Sequence, residues 1–245
     1  MLDGKRVALV LPALDEEASI AGVVRAFRGM PVVDLLVVVD NGSRDRTAER
    51  AREAGAVVLA EARRGYGAAL RSGIEGALQM GAEFIALGEA DGTFDPADLP
   101  RLLSALEGHD LVLGSRTAEM GGALAAGNRL VARLLSALWP GRACPLSDVG
   151  CTYRVLTATA WRRLSEGTPA DGPEFSPQMI GAAFRAGLTV REIPVRYLAR
   201  AGGASKHGGS PVAVARTAAR MLHAILAQRF AARRPAGVGL ESGES

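Results

Sequence analysis

Cysteine is nearly absent from this chain of 245 residues. The two that occur, Cys144 and Cys151, cannot make a disulfide framework and point to a reducing, cytoplasmic setting. They also lack the spacing and histidine partners of a zinc site. Aromatic residues are only 4% of the chain, so Ala, Val and Leu carry much of its 48% hydrophobic content. No segment reaches the roughly 18–20 apolar residues a transmembrane helix needs. The opening MLDGKRVALVLPALDEE meets acids after a short apolar run and reads as neither signal peptide nor membrane span. Any membrane contact is therefore expected to be peripheral. No G-x-G-x-x-G follows the first apolar run and no G-x-x-x-x-G-K-[ST] occurs, which disfavours hydride transfer and P-loop nucleotide hydrolysis.

Lysine is scarce as well, with Lys5 and Lys206 alone. Acidic residues are missing from the whole stretch between Glu192 and Glu241, which holds Arg196, Arg200, Lys206, Arg216, Arg220, Arg229, Arg233 and Arg234. The formal net charge of +3 is too small to argue for nucleic acid. A local cationic stretch instead suits an anionic ligand, an anionic membrane surface or simply a solvated helix face.

What is present alternates between two periods. A continuous apolar run at 6–11 predicts a strand covered on both faces, and further strands are expected at 35–39, 56–59, 84–87 and 111–113. Helical spacing is found around 20–27, 45–54, 66–78 and 95–106, the last opened by Asp95-Pro96 as N-cap and first-turn proline. Strand–helix alternation predicts an α/β fold with a mainly parallel sheet, whose ligands bind beyond the carboxyl ends of the strands. The second half is less regular. Helices are expected at 123–138 and 176–187, a strand at 152–156 and an edge strand at 189–197. A basic amphipathic helix is expected at 211–234, followed by a disordered tail.

Three predicted strands end in carboxylates: Asp15-Glu16-Glu17, Asp40, and Glu89-Ala90-Asp91. Like charges at one rim repel, so a bound cation or a ring of sugar hydroxyls would justify them. Each cluster alone is also ordinary turn chemistry. Glu89 and Asp91 flank one small residue and could hold Mg2+ or Mn2+ against a diphosphate. Gly65-Tyr66-Gly67 precedes a helix and could let the backbone approach a nucleotide.

From about Val7 to Gly209 the chain resembles family 2 glycosyltransferases of the GT-A fold, particularly the polyprenyl-phosphate mannosyl- and glucosyltransferase branch. The blocks that carry the resemblance are VALVLPALDEEASI, VVVDNGSRDRTAERAREAGA, RRGYGAALRSGI, GEADGTFDPADLPRLL, LVLGSR, DVGCTYRVL, PEFSPQMI and REIPVRYLARAGGASKHG, in that order. The resemblance implies a GT-A domain over 1–209, with a nucleotide half to about 115 and an acceptor half from 116, then the helix at 210–234 and the tail at 235–245. It implies that Pro12, Ala13, Leu14, Glu16 and Asp40 form the nucleotide pocket, with Gly67 beside the base and Ala90 lining the site between its two carboxylates. Glu89 and Asp91 would then take the metal and diphosphate. Arg116 and Arg129 would hold an acceptor phosphate. Arg200, Ser205 and Lys206 would close over the diphosphate or acceptor, and Asp148 would lie on the acceptor side.

The implied reaction is inverting transfer of a sugar from a UDP- or GDP-sugar to a polyprenyl phosphate. For a hydroxyl acceptor, Asp148 would take the proton. Two residues depart from the branch: Glu89 stands where Asp is usual, and Thr93 where Gln is common. The Q-x-x-R-W motif of processive synthases is absent. The alternatives are a family 2 enzyme with a small soluble acceptor and a non-catalytic sugar-nucleotide-binding module. In the polyprenyl-phosphate reading the helix at 211–234 would rest peripherally on an inner membrane face, whereas the lack of a membrane span and Thr93 favour the soluble acceptor; a homo-oligomer is a further expectation.

Overall fold

The computed structural model describes residues 4–116, 122–139, 146–200 and 211–230. Seven strands form one sheet: β1 (Val7–Ala13), β2 (Leu35–Asp40), β3 (Val57–Ala60), β4 (Phe84–Leu87), β5 (Leu111–Ser115), β6 (Arg154–Thr157) and β7 (Val190–Pro194). Their order is β3-β2-β1-β4-β6-β5-β7. All neighbours run parallel except β6, which lies antiparallel between β4 and β5. The helices are α1 (Ile20–Arg28), α2 (Thr47–Glu53), α3 (Tyr66–Gln79), α4 (Leu99–Ser104), α5 (Gly122–Leu138), α6 (Ala158–Leu164), α7 (Phe175–Ala186) and α8 (Pro211–Phe230).

The apolar run of β1 is buried along its full length, as a strand covered on both faces must be. Its side chains alternate between two cores. Ala8 and Val10 join Ile74 of α3, Leu135 of α5, Trp161 of α6, Met179 of α7 and Ile225 of α8. Leu9 and Leu11 join Val24 and Phe27 of α1 and Leu102 of α4. Each fully buried aliphatic or aromatic side chain contributes about 1.5–3 kcal/mol. The mainly parallel α/β sheet expected from the sequence is the observed architecture.

The local expectations fare unevenly. Asp95 caps as predicted, accepting from the Ala97 amide at 2.9 Å, but it opens a single 3-10 turn at Pro96–Asp98 before α4 begins. Pro194 does sit on the outermost strand, where its missing N–H costs no ladder bond. The helix near the C-terminus is not a free basic rod. Arg220 pairs with Glu174 beside α7, and Arg229 Nε donates to the Leu138 carbonyl of α5 at 2.9 Å. The apolar stripe expected on that helix is split: Ile225 is buried, whereas Leu222 and Leu226 are exposed. Among the described residues no helix is long and apolar enough to cross a membrane. Ser205, Lys206, Cys144 and the tail from 235 lie outside the described residues.

Candidate active site at the carboxyl rim

The loops after β1 and β2 are joined by hydrogen bonds of their own. Asp15, at φ 51°, is the sole non-glycine residue with positive φ among those described. Its carboxylate accepts from the Arg44 amide at 2.7 Å, and the Glu16 amide donates to Thr47 Oγ1 at 2.8 Å. Asp40 ends β2 and accepts from the Ser43 amide at 3.1 Å, which closes a tight turn. Buried Asn41 fixes the next loop: Nδ2 donates to the Glu61 and Arg63 carbonyls, and Oδ1 accepts from the Gly65 amide. Pro12 and Ala13 are buried at the end of β1, and Leu14 is half-buried.

The carboxylates beyond β4 face two ways. Asp91 is buried, with Oδ1 accepting from the Thr93 amide at 3.0 Å and the Thr93 hydroxyl at 2.7 Å. Its Oδ2 pairs with Arg200 Nη2 at 2.7 Å, while Arg200 Nη1 reaches Glu16 Oε1 at 3.1 Å. Ser19 clamps the same corner, donating to the Ala90 carbonyl at 2.9 Å beside Glu16. Glu16 and Asp91 thus converge on one cationic position. Asp40 lies two strands away from β4, roughly 10 Å at ordinary strand spacing.

Glu89 turns toward the other side of the cleft. Its Oε1 accepts from Thr152 Oγ1 at 2.6 Å and from the Tyr66 hydroxyl at 3.3 Å. The extra methylene relative to Asp supplies that reach. Desolvation pushes its carboxyl up to about 7, the Asp91 charge adds to the rise, and the Thr152 hydrogen bond opposes it. The two carboxylates are therefore electrostatically coupled although their hydrogen bonds diverge.

Across the sheet, Asp148 is buried and its oxygens are saturated. They accept from Arg116 Nε at 2.8 Å, Arg116 Nη2 at 3.1 Å, the Arg116 amide at 3.0 Å, the Gly150 amide at 3.1 Å and Asn128 Nδ2. Burial works against the anion, but the Arg116 bonds and charge outweigh it, and the pKa falls below the ordinary carboxylate value. Glu192 on β7 holds the Ser147 and Asp148 amides from behind. The Arg116 guanidinium also sits 5.2 Å over the Tyr197 ring. Arg129 is exposed on α5, and its neighbour Asn128 donates to Asp148 beside Arg116. Cys151 is buried with its thiol pushed up to about 12 by desolvation, so it is no nucleophile.

Gly67 faces protein. A Cβ there would meet the Ala170 carbonyl at 2.1 Å, and the Gly67 amide donates to the Asp171 carbonyl at 2.7 Å. Close packing of α3 on the loop before α7 leaves no room for a side chain at this position. Sequence reading missed Tyr66, Thr152, Ser19, Asn128 and Arg154. Arg154 is fully buried and donates to the carbonyls of Cys151, Ser176 and Val149, which fixes the segment that carries Thr152. A buried arginine flanked by apolar strand residues is the one local signal that could have drawn attention to that segment.

A mostly parallel sheet with carboxylates clustered at its carboxyl rim and an arginine-bearing second half fits the GT-A fold of nucleotide-diphospho-sugar transferases. The profile of glycosyl transferase family 2 matches residues 8–140, and the chain belongs to that family. A hexosyltransferase of low-salt glycan biosynthesis from Haloferax volcanii is 31% identical over 212 residues, covering 81% of this chain. The chain spans about half of that relative, 49% of its length. An undecaprenyl-phosphate mannosyltransferase from Micrococcus luteus is 30% identical over 84% of this chain and 89% of its own length. Among solved structures, glucosyl-3-phosphoglycerate synthase of Mycobacterium tuberculosis, in complex with Mn2+, UDP-glucose and phosphoglyceric acid, superposes with a TM-score of 0.71 at 26% identity, covering 92% of this chain and 80% of that one.

Proposed function

We propose that the protein transfers a hexose, with inversion, from a UDP- or GDP-sugar to a polyprenyl phosphate. The observation that carries this reading is the convergence of Glu16 and Asp91 on one cationic position at the carboxyl rim. Two carboxylates around a point of positive charge suit Mg2+ or Mn2+ shared with a diphosphate. Asp91 would be the principal protein ligand. Glu89, tethered by Thr152 and Tyr66, would act beside it. Among the described residues no three His, Cys, Asp or Glu side chains form a closed metal cage. That donor set fits an ion that takes several of its ligands from substrate oxygens and water. When bound, the ion would offset charge developing on the departing diphosphate.

The residues of the chain divide the remaining work. The rim loops at Pro12–Glu16 and Asp40 border the nucleotide. Arg116, Arg200 and, by expectation, Arg129, Ser205 and Lys206 hold anionic oxygens. Asp148 is poorly suited to general-base work, because its oxygens are filled and its pKa is lowered. It holds Arg116 in position instead. An acceptor that arrives already ionised needs no base, which favours a phosphate over a hydroxyl.

A small soluble acceptor is the second reading, and the likeness to glucosyl-3-phosphoglycerate synthase supports it. The nucleotide half to 115, the acceptor half from 116 and a cytoplasmic-face location near lipid belong to the same proposal. The test is transfer from UDP- and GDP-hexoses, with Mn2+, to a polyprenyl phosphate or to phosphoglycerate. A glycolipid product supports the main reading and a glycosylated small acid the second. Neither transfer nor donor hydrolysis with any sugar nucleotide overturns both.

A further inference from the structure

We infer that Arg200 is an internal counter-cation that makes metal binding and diphosphate binding depend on each other. The inference rests on the donor-site reading above and adds an order to it. In the free protein the Arg200 guanidinium forks between two carboxylates from different loops, Glu16 at 3.1 Å and Asp91 at 2.7 Å. Both acids are largely buried, with side chains 10% and 9% exposed, and the arginine side chain is 27% exposed. Asp91 Oδ1 is already committed to Thr93, so Oδ2 is the oxygen open to exchange, and Arg200 holds it. A divalent ion that takes Asp91 Oδ2 competes with that guanidinium.

Displacement by the ion alone is unfavourable. It sets the arginine beside a dication while withdrawing one of its two carboxylate partners. A diphosphate changes the balance. Its oxygens accept the guanidinium fork that Asp91 gives up and also ligate the ion. Metal and nucleotide therefore enter as a complex, and Arg200 passes from Asp91 to the diphosphate as they do. Linkage makes the effect reciprocal: the nucleotide tightens the metal by the same factor as the metal tightens the nucleotide.

The experiment is titration of the full-length protein with Mn2+ alone, followed by the free-ion signal in electron paramagnetic resonance, and again with UDP or GDP present. Substituting Arg200→Gln should tighten Mn2+ alone by roughly 5- to 150-fold, the usual span of a coupling of this kind. The same change should weaken the diphosphate and shrink the mutual enhancement. A gain in metal affinity is not what general damage to the fold produces. Arg200→Lys should restore part of the coupling through its charge. Arg196→Gln, which removes a nearby cation paired with Asp95 and Asp98, should leave Mn2+ affinity unchanged. If Arg200→Gln binds Mn2+ alone no more tightly than the native chain, or Arg196→Gln tightens it equally, the inference fails while the donor-site reading stands. If the native chain binds no Mn2+ even with either nucleotide, the donor-site reading itself fails.

Discussion

Replacing Asp148 with Asn separates positioning from base catalysis. The side chain is buried at 1% exposure and accepts five hydrogen bonds, three of them from Arg116. The amide removes the negative charge and turns an NH2 group toward donors. Breaking one partner of a buried ion pair costs about 3–5 kcal/mol. At about 2–4 °C per kcal/mol for a chain of this length, the melting temperature should drop by roughly 6–20 °C. The native pair also sets a pH signature. The folded pKa of Asp148 is depressed from 3.8, so its stabilisation is present above the unfolded value and is lost as pH falls through the folded one. Urea melts across the acid range should show that loss in the native chain and a flatter profile in Asp148→Asn. In kinetics the variant should raise KM for the phosphate acceptor more than it lowers kcat, because Arg116 loses its anchor. A stability loss below about 1 kcal/mol, the range of exposed pairs, would refute the buried-pair reasoning. A collapse of kcat at unchanged acceptor KM would return Asp148 to the role of base.

Asp91→Asn should abolish turnover and also the rise in melting temperature that Mn2+ with a nucleoside diphosphate gives the native protein, read by thermal shift. Glu89 carries a folded pKa raised from 4.5 to about 7, so the free protein should lose stability as pH rises between those values, and Glu89→Gln should remove that slope in melts taken from pH 4 to 8. Ile225→Ala, at a fully buried position of α8, should cost about 2–5 kcal/mol in urea denaturation while leaving Mn2+ affinity alone, which would show that α8 is part of the folded core.

Much of the fold was legible because strand and helix periods are local. The run Arg6–Leu11 is apolar at every position but the first, and β1 is buried on both faces, as such a run requires. The carboxylates at the strand ends were legible for the same reason: a residue that follows a parallel strand is carried to the rim by the strand itself. Helix boundaries were less so. Asp95-Pro96 signals a start, but the chain makes one 3-10 turn before α4, whose Leu99 and Leu102 enter the core. Motif reading did not name Asn128, which donates to Asp148 beside Arg116, nor the Ala170 carbonyl that the loop before α7 brings against Gly67.

The sequence by itself determined the alternation of strands and helices, the rim on which acids gather and the lack of a membrane-spanning run. Only the tertiary structure decided which acids act together. Thr152 reaches Glu89 across 63 residues, and Arg200 reaches Glu16 across 184. Those meetings depend on sheet order, above all on β6 entering antiparallel beside β4 and carrying Thr152 to the rim just ahead of its first residue. Periodicity reports which face of an element is apolar over a few residues. It holds no information about which distant loop lies opposite, because that is set by the packing of the whole sheet.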